Sequence, residues 1–282
     1  MAAVTAGWQE REAEVEEMRE HLGRPVANLR LYARAEQLFA QDRELAALYR
    51  ERQDVLRQLQ DLYRVRLAHI LRAARDLASR LTEPSLVEPE REAVMTSLRA
   101  LDDHHLGRLR AVHEEFDAKA RPLERPALLR HRHEIAKQLG ASVALAIAGG
   151  HVAVLLNRLR LFGVVELAAR LPIFAWSAGA MVLGSKVVLF HDSPPQGAGD
   201  AEVVESGLHL YDDLIPLPHA SKRLRLDDPV RVSLFARRFA PARCVAFEPK
   251  VQLVRKGGAA WRPSAGVQKL GESGNLEPMR SA

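Results

Sequence analysis

A single cysteine, Cys244, leaves the chain without an internal disulfide. Long apolar runs are also missing. The longest, Ala141 to Leu156, is broken by Gly149-Gly150 and falls short of the ~20 residues that a membrane-spanning helix needs. No basic-then-apolar stretch opens the sequence, so the expectation is a cytoplasmic protein with no membrane partner. Aromatic residues make up only 5% of the chain and no RNA-binding signature combines them with basic residues. The net charge of +5 therefore reads as arginines and glutamates on solvated helical faces, and no nucleic-acid partner is expected. H-E-x-x-H and paired cysteines are absent, and His131 and His133 are too close in sequence to share a helical face. Neither a metal nor another cofactor is expected.

What is present is enough apolar residue for a packed core. At 282 residues and 47% hydrophobic, the chain accommodates two domains or one large one. Residues 1–125 read as helical, forming a bundle or hairpin. Val15, Met18 and Leu22 share one face, and Gly23 and Pro25 stop that helix. Leu29 to Phe39 supplies a second helix. Over Asp42 to Leu81, apolar residues form one stripe in which Tyr49, Leu56, Tyr63, Ile70 and Leu77 keep heptad spacing. That spacing suits an antiparallel hairpin or a coiled-coil dimer. Pro84 and Pro89 are expected to bracket a loop, and Val94, Leu98, Leu101, His105, Leu109, Val112 and Phe116 outline the returning helix. His104, His105 and His113 read as solvated because Arg and Glu dominate that helix.

From residue 126 the pattern changes. A strand at Val143 to Ala148, a helix at His151 to Phe162, a strand at Ile173 to Trp176, a helix from Ser177 and a strand at Lys186 to His191 alternate. Alternation of this kind predicts an α/β fold, a parallel sheet flanked by helices, over residues 126–256. Asp228-Pro229 is an N-cap and first helical residue for Val230 to Phe239. Arg243 to Phe247 and Val251 to Val254 read as closing strands. Residues 257–282 are rich in Gly, Ser and Pro and read as a flexible tail. Cys244, inside a strand, reads as core filling.

The stretch that carries chemistry is F-A-W-S-A-G-A-M, Phe174 to Met181. A strand-forming run reaches Ser177, and Ala178, Gly179 and Ala180 follow at once. A serine hydroxyl becomes a useful nucleophile when held on a sharp strand-to-helix turn, where the neighbouring residues must be small and the next backbone N–H faces the reacting carbonyl. The first position of G-x-S-x-G is Ala175 here. Gly149-Gly150 ends the preceding strand, where glycine permits close approach of main-chain amides to a ligand.

Three blocks together resemble the dipeptidase E and cyanophycinase family of serine peptidases, whose fold is like that of class I glutamine amidotransferases. They are L-A-I-A-G-G-H-V-A-V-L-L-N-R-L (Leu145 to Leu159), the elbow W-S-A-G-A, and L-I-P-L-P-H (Leu214 to His219). The likeness covers roughly Ala141 to Val254. It implies a serine hydrolase that cleaves small acidic peptides or amides through a catalytic triad. In this sequence the implied roles are Ser177 as nucleophile, His219 as base, and Asp192 as the orienting acid, with Glu248 as its rival. The backbone N–H groups of Gly150 and Ala178 would form the oxyanion hole. His151, which stands where the family has Asn, is expected to bind substrate or cap its own helix, and Arg223, among the basic residues that follow His219, is expected to hold a substrate carboxylate. Family members begin with strand and helix units, whereas the corresponding length here reads as charged helix. A second reading is a non-catalytic binding or scaffolding protein that keeps the elbow, and a homodimer through the N-terminal helices or the sheet domain is a further expectation.

Overall fold

A computed structural model describes residues 1–190 and 199–281 of the chain. Two compact units divide it, interleaved in sequence. The first comprises Met1–Leu56, Arg110–Ser185 and Gly207–Leu210, and the second comprises Arg57–Leu109, Lys186–Ser206 and Tyr211–Ala282.

The first unit is built on a parallel four-stranded sheet. Its strands are β1 (Ala2–Val4), β2 (Ala27–Asn28), β3 (Leu145–Ile147) and β4 (Ile173–Ala175), in the order β2-β1-β3-β4. Ala3 stands opposite Ala146, and Ala146 opposite Phe174. Small side chains at Ala3, Ala146 and Ala148 let Met18 of α1 (Glu16–Leu22) and Val26 close over the sheet, with Met1 and Trp8 at the margin. Helices α2 (Leu31–Gln41), the start of α3 (Arg43–Ala78) and the end of α4 (Pro84–Ala120) belong to this unit, with α5 (Pro126–Gly140), α6 (Val152–Phe162), α7 (Val164–Leu167) and α8 (Ala178–Leu183). Asp42 caps α3 by accepting from the Leu45 N–H at 2.9 Å, and Arg125 fixes that carboxylate at 2.9 and 3.0 Å. Tyr49 packs its ring between Phe39 and Phe116, while its hydroxyl accepts from the buried Arg158 at 3.1 Å.

In the second unit the remainder of α3 runs antiparallel to the first part of α4. Tyr63, Leu67 and Leu71 are buried, as are Met95, Leu98 and Leu101. Arg91 donates to the Leu77 and Ala78 carbonyls at 3.0 and 3.2 Å, closing the exposed end of α3. Strands β5 (Lys186–Leu189) and β6 (Glu202–Ser206) pair antiparallel. Strand β7 (Leu214–Pro218), α9 (Ala220–Arg223), α10 (Pro229–Phe239) and β8 (Arg243–Phe247) lead to β9 (Leu253–Val254), β10 (Arg262–Pro263), β11 (Gln268–Leu270) and β12 (Leu276–Pro278). β7 and β8 run parallel within a sheet ordered β12-β11-β8-β7. Asp228 caps α10 at the Arg231 N–H, 3.0 Å away, with Pro229 as its first residue.

A buried polar cluster ties this unit together. Asp102 accepts from Arg238 Nε and Nη2, each at 2.7 Å, and from the Tyr63 hydroxyl at 2.8 Å. Arg238 also donates to the Ala201 carbonyl at 2.7 Å, and the Tyr63 hydroxyl accepts from the Val203 N–H at 3.2 Å. Each guanidinium nitrogen and both carboxylate oxygens therefore have a partner where water has little access, as a buried charge pair requires. Burial pushes the Tyr63 hydroxyl well above its ordinary value.

The parallel sheet flanked by helices agrees with the α/β expectation. Several sequence-based readings need correction. The first 125 residues are not wholly helical, because Ala2–Val4 and Ala27–Asn28 form strands. Residues 257–282 are not a loose tail. β11 pairs with β8 and β12, burying Val267, Leu270 and Met279, while the glycines supply turns with positive φ at Gly266 and Gly274. Pro84 opens α4 and Pro89 lies inside it, so the loop between them is absent. His105 is buried, stacked on Tyr63 with ring centroids 4.2 Å apart and bonded to Gln60 at 2.9 Å. Cys244 is buried as expected, and burial pushes its thiol well above the usual range.

Candidate active site

Ser177 occupies the turn between β4 and α8 with φ 53° and ψ −127°. A side chain other than glycine's is strained at positive φ, at a cost on the order of 1–3 kcal/mol. Surrounding backbone holds the turn in place. The Trp176 N–H donates to the Ile147 carbonyl at 3.2 Å, while the Ser177 carbonyl accepts from the Ala180 and Met181 N–H groups at 3.1 and 3.2 Å. Serine at a helix N-cap ordinarily accepts a hydrogen bond from the first turn. Ser177 makes no such side-chain cap, which leaves its hydroxyl uncommitted to the helix.

Small residues are required on both sides of this turn. A Cβ on Gly149 would lie 2.8 Å from Ser177 Cβ and 2.9 Å from its Oγ, and one on Gly179 would lie 2.3 Å from the Ile147 carbonyl oxygen. Gly150 has φ +105°, and a Cβ there would meet the Gly7 carbonyl oxygen at 2.3 Å. The His151 N–H donates to that same oxygen at 2.7 Å. Gly7, in the turn after β1, is thus a structural partner of the glycine turn that sequence reading missed. Its only local signal is a small residue following a short apolar run. Among the described residues, the N–H groups of Gly150 and Ala178 meet no acceptor. His151 Nδ1 accepts from the Val154 N–H at 3.3 Å, so the ring caps α6. When neutral, the ring carries its proton on Nε2.

The other expected residues belong to the second unit. His219 follows β7, is exposed, and has φ 57° and ψ 39°. Its N–H donates to the Phe247 carbonyl at 2.8 Å, continuing the parallel β7–β8 ladder beyond Pro218. Glu248 comes next after Phe247. Its Oε1 accepts from the Ser221 N–H at 2.7 Å, and its Oε2 from the Ser221 hydroxyl at 2.8 Å. Glu248 therefore anchors the turn that begins at His219. Arg223 ends α9 and is half-buried. Asp192 lies outside the described residues. Among the described residues, no group of three or more His, Cys, Asp or Glu is placed to hold a metal ion, and no helix is long and apolar enough to cross a membrane.

Ser177, Gly149, Gly150 and Ala178 are thus brought together by the ends of β3 and β4 in the first unit. His219, Arg223 and Glu248 are gathered at the ends of β7 and β8 in the second. No protein-family model matches the chain, and no curated protein matches it. Among solved structures it is similar to a peptidase from an acI-B1 Actinobacterium, at 18% identity and a TM-score of 0.37, covering 54% of this chain and 62% of that one. It is also similar to a protein from Listeria monocytogenes EGD-e named as a candidate peptidase E, at 16% identity and a TM-score of 0.32, covering 49% and 63% of the two chains. The chain spans less than two thirds of the length of either protein.

Proposed function

We propose that the protein is a serine-type hydrolase, a peptidase of the dipeptidase E type acting on small acidic peptides or amides. The observation that carries this reading is the backbone of Ser177, a strained residue on a strand-to-helix turn whose hydroxyl does not cap its own helix. Strained residues of this kind cluster at active sites. In the proposed reaction Ser177 Oγ attacks the scissile carbonyl carbon and His219 accepts the hydroxyl proton. Negative charge developing on the carbonyl oxygen is met by the N–H groups of Gly150 and Ala178. The proton then passes from His219 to the leaving amine as the carbon–nitrogen bond breaks. Water, deprotonated by His219, hydrolyses the acyl-serine ester.

Asp192 is proposed to hold the His219 tautomer, with Glu248 as the alternative acid. Glu248 is already engaged with Ser221, which suits an anchoring role. Arg223 and His151 are proposed to receive the acidic group of the substrate, although the cap that His151 forms on α6 leaves only its Nε2 for that purpose.

Hydrolysis of a panel of dipeptides and amino-acid amides tests the reading. Wild-type protein should favour acidic substrates, and Ser177→Ala should lose at least ~10³-fold in kcat/KM with an unchanged melting curve. Hydrolysis that survives Ser177→Ala would overturn the assignment. A complete lack of hydrolysis by the wild type would favour the binding-protein alternative.

A further inference from the structure

The sheet of the first unit ends at β4. Towards β3, the Leu145 N–H donates to the Pro172 carbonyl at 2.9 Å, and the Trp176 N–H donates to the Ile147 carbonyl at 3.2 Å. In a parallel ladder this alternation turns the N–H and C=O groups of Ile173 and Ala175 the other way. Among the described residues those four groups have no hydrogen-bond partner. An open edge is a template for another extended segment, and proteins commonly blunt it with charged side chains or cover it. No charged residue stands between Pro172 and Ser177.

The aromatic side chains of this edge share one face. Phe174 stands opposite Ala146, and Trp176, two residues on, projects to the same side. Met18 and Val26 pack over Ala3, Ala146 and Ala148, yet that cover stops short of the edge, where Phe174 is 59% exposed and Trp176 42%. Ser177 follows at once, so the edge runs directly into the candidate nucleophile.

We propose that the substrate is an extended peptide that adds to β4 as an antiparallel strand, with its scissile bond at Ser177 and its leaving-group side along the edge. Resting on the hydrolase reading, this pairing names the substrate class as peptides of about five residues or more with apolar side chains at the first and third places after the bond cut. The residue before the bond falls opposite Ser177. The first and third after it face Trp176 and Phe174, while the second and fourth exchange N–H···O=C bonds with Ala175 and Ile173. An antiparallel edge strand on a parallel sheet is a common arrangement. A second copy of the chain fits less well. Three residues span ~10 Å, and two such edges with their aromatic side chains would bury on the order of 500 Å², short of the roughly 1,000 Å² that a specific interface needs.

Fluorescence anisotropy of the full chain carrying Ser177→Ala, which leaves a bound peptide intact, tests the pairing. The probe is the amidated peptide Asp-Leu-Ala-Leu-Ala-Gly-Lys with fluorescein on the lysine. N-methylation of its second or fourth residue after the Asp removes a donor to Ala175 or Ile173 and should weaken binding about tenfold or more, whereas N-methylation of the third, whose N–H points away, should change it less than about twofold. Phe174→Asp should weaken binding by a similar factor of about ten, with an unchanged circular dichroism melt because the side chain is exposed. A probe that does not saturate by about 1 mM, or binding indifferent to the position of the methyl group or to Phe174→Asp, would overturn the proposal and leave the hydrolase reading standing. So would a dimer in sedimentation velocity that Phe174→Asp dissociates, since a second copy would then hold the edge. Wild-type turnover of the same peptide is measured separately, and position-sensitive binding without turnover would strike the hydrolase reading while keeping the strand addition.

Discussion

Replacing Asp102 by Asn tests how the second unit is held together. The carboxylate accepts three hydrogen bonds, two from Arg238 at 2.7 Å and one from Tyr63 at 2.8 Å. Asparagine keeps the shape but removes the charge, and its amide NH2 meets one of those donors head-on. Arg238 would then be a buried cation without its counter-charge. Breaking one side of a buried pair costs ~3–5 kcal/mol, whereas exposed pairs contribute little. With a urea dependence of about 2 kcal/mol/M, that loss moves the midpoint by roughly 2 M. Glu92, exposed and paired with Arg99 and Arg237, is the control, and Glu92→Gln should give no resolvable change. Removing both charges together, with Asp102→Leu and Arg238→Met, should cost much less than Asp102→Asn alone. Urea unfolding followed by far-UV circular dichroism measures all three. A midpoint for Asp102→Asn equal to that of the wild type would show that the Asp102–Arg238 pair does not hold this unit together.

Three further expectations concern other sites. Gly149→Ala, whose new methyl would lie within 3 Å of Ser177, should destabilise by ~1–3 kcal/mol, while Gly107→Ala on the open surface of α4 should stabilise by ~0.5–1 kcal/mol; calorimetric melting separates them. Burial holds the His105 imidazole down to about 4, below its ordinary 6.5, so the unfolded chain binds its proton first. That contribution to stability is complete above pH ~6.5 and is lost as the pH falls towards ~4, by up to about 3 kcal/mol. Urea midpoints measured over that interval should fall less steeply for His105→Asn than for the wild type. If Asp192 orients His219, Asp192→Asn should reduce kcat by as much as ~10⁴-fold, while Glu248→Gln should retain most turnover and lower the melting temperature; the reverse ranking in steady-state kinetics would transfer the role to Glu248.

Features fixed by local chemistry were legible in the sequence. Asp228-Pro229 marks the start of α10 because an acceptor and a preset φ are needed there, and the run of small residues after Ser177 marks the turn. The missed features depend on partners distant in sequence. Ala2–Val4 is too short to show a period and becomes a strand because β2 and β3 flank it. The last 26 residues look loose by composition, yet β8 offers an edge on which Gln268 and Lys269 pair. Gly7 and Gly150 approach each other only through the fold, because 142 residues separate them in sequence. His105 was legible in part. Its position in the stripe with Leu101 and Leu109 points inward, while the Arg and Glu around it suggest solvent.

Whether Ser177 is an activated nucleophile is decided by labelling the whole protein with a fluorophosphonate probe and mass mapping the modified residue. An activated serine beside oxyanion donors reacts quickly, whereas an ordinary surface serine does not. A single adduct on Ser177 is expected, abolished by Ser177→Ala and strongly suppressed by His219→Ala, with both variants melting like the wild type. A wild-type protein that stays unlabelled, or an adduct on Ser177 indifferent to His219→Ala, would contradict it.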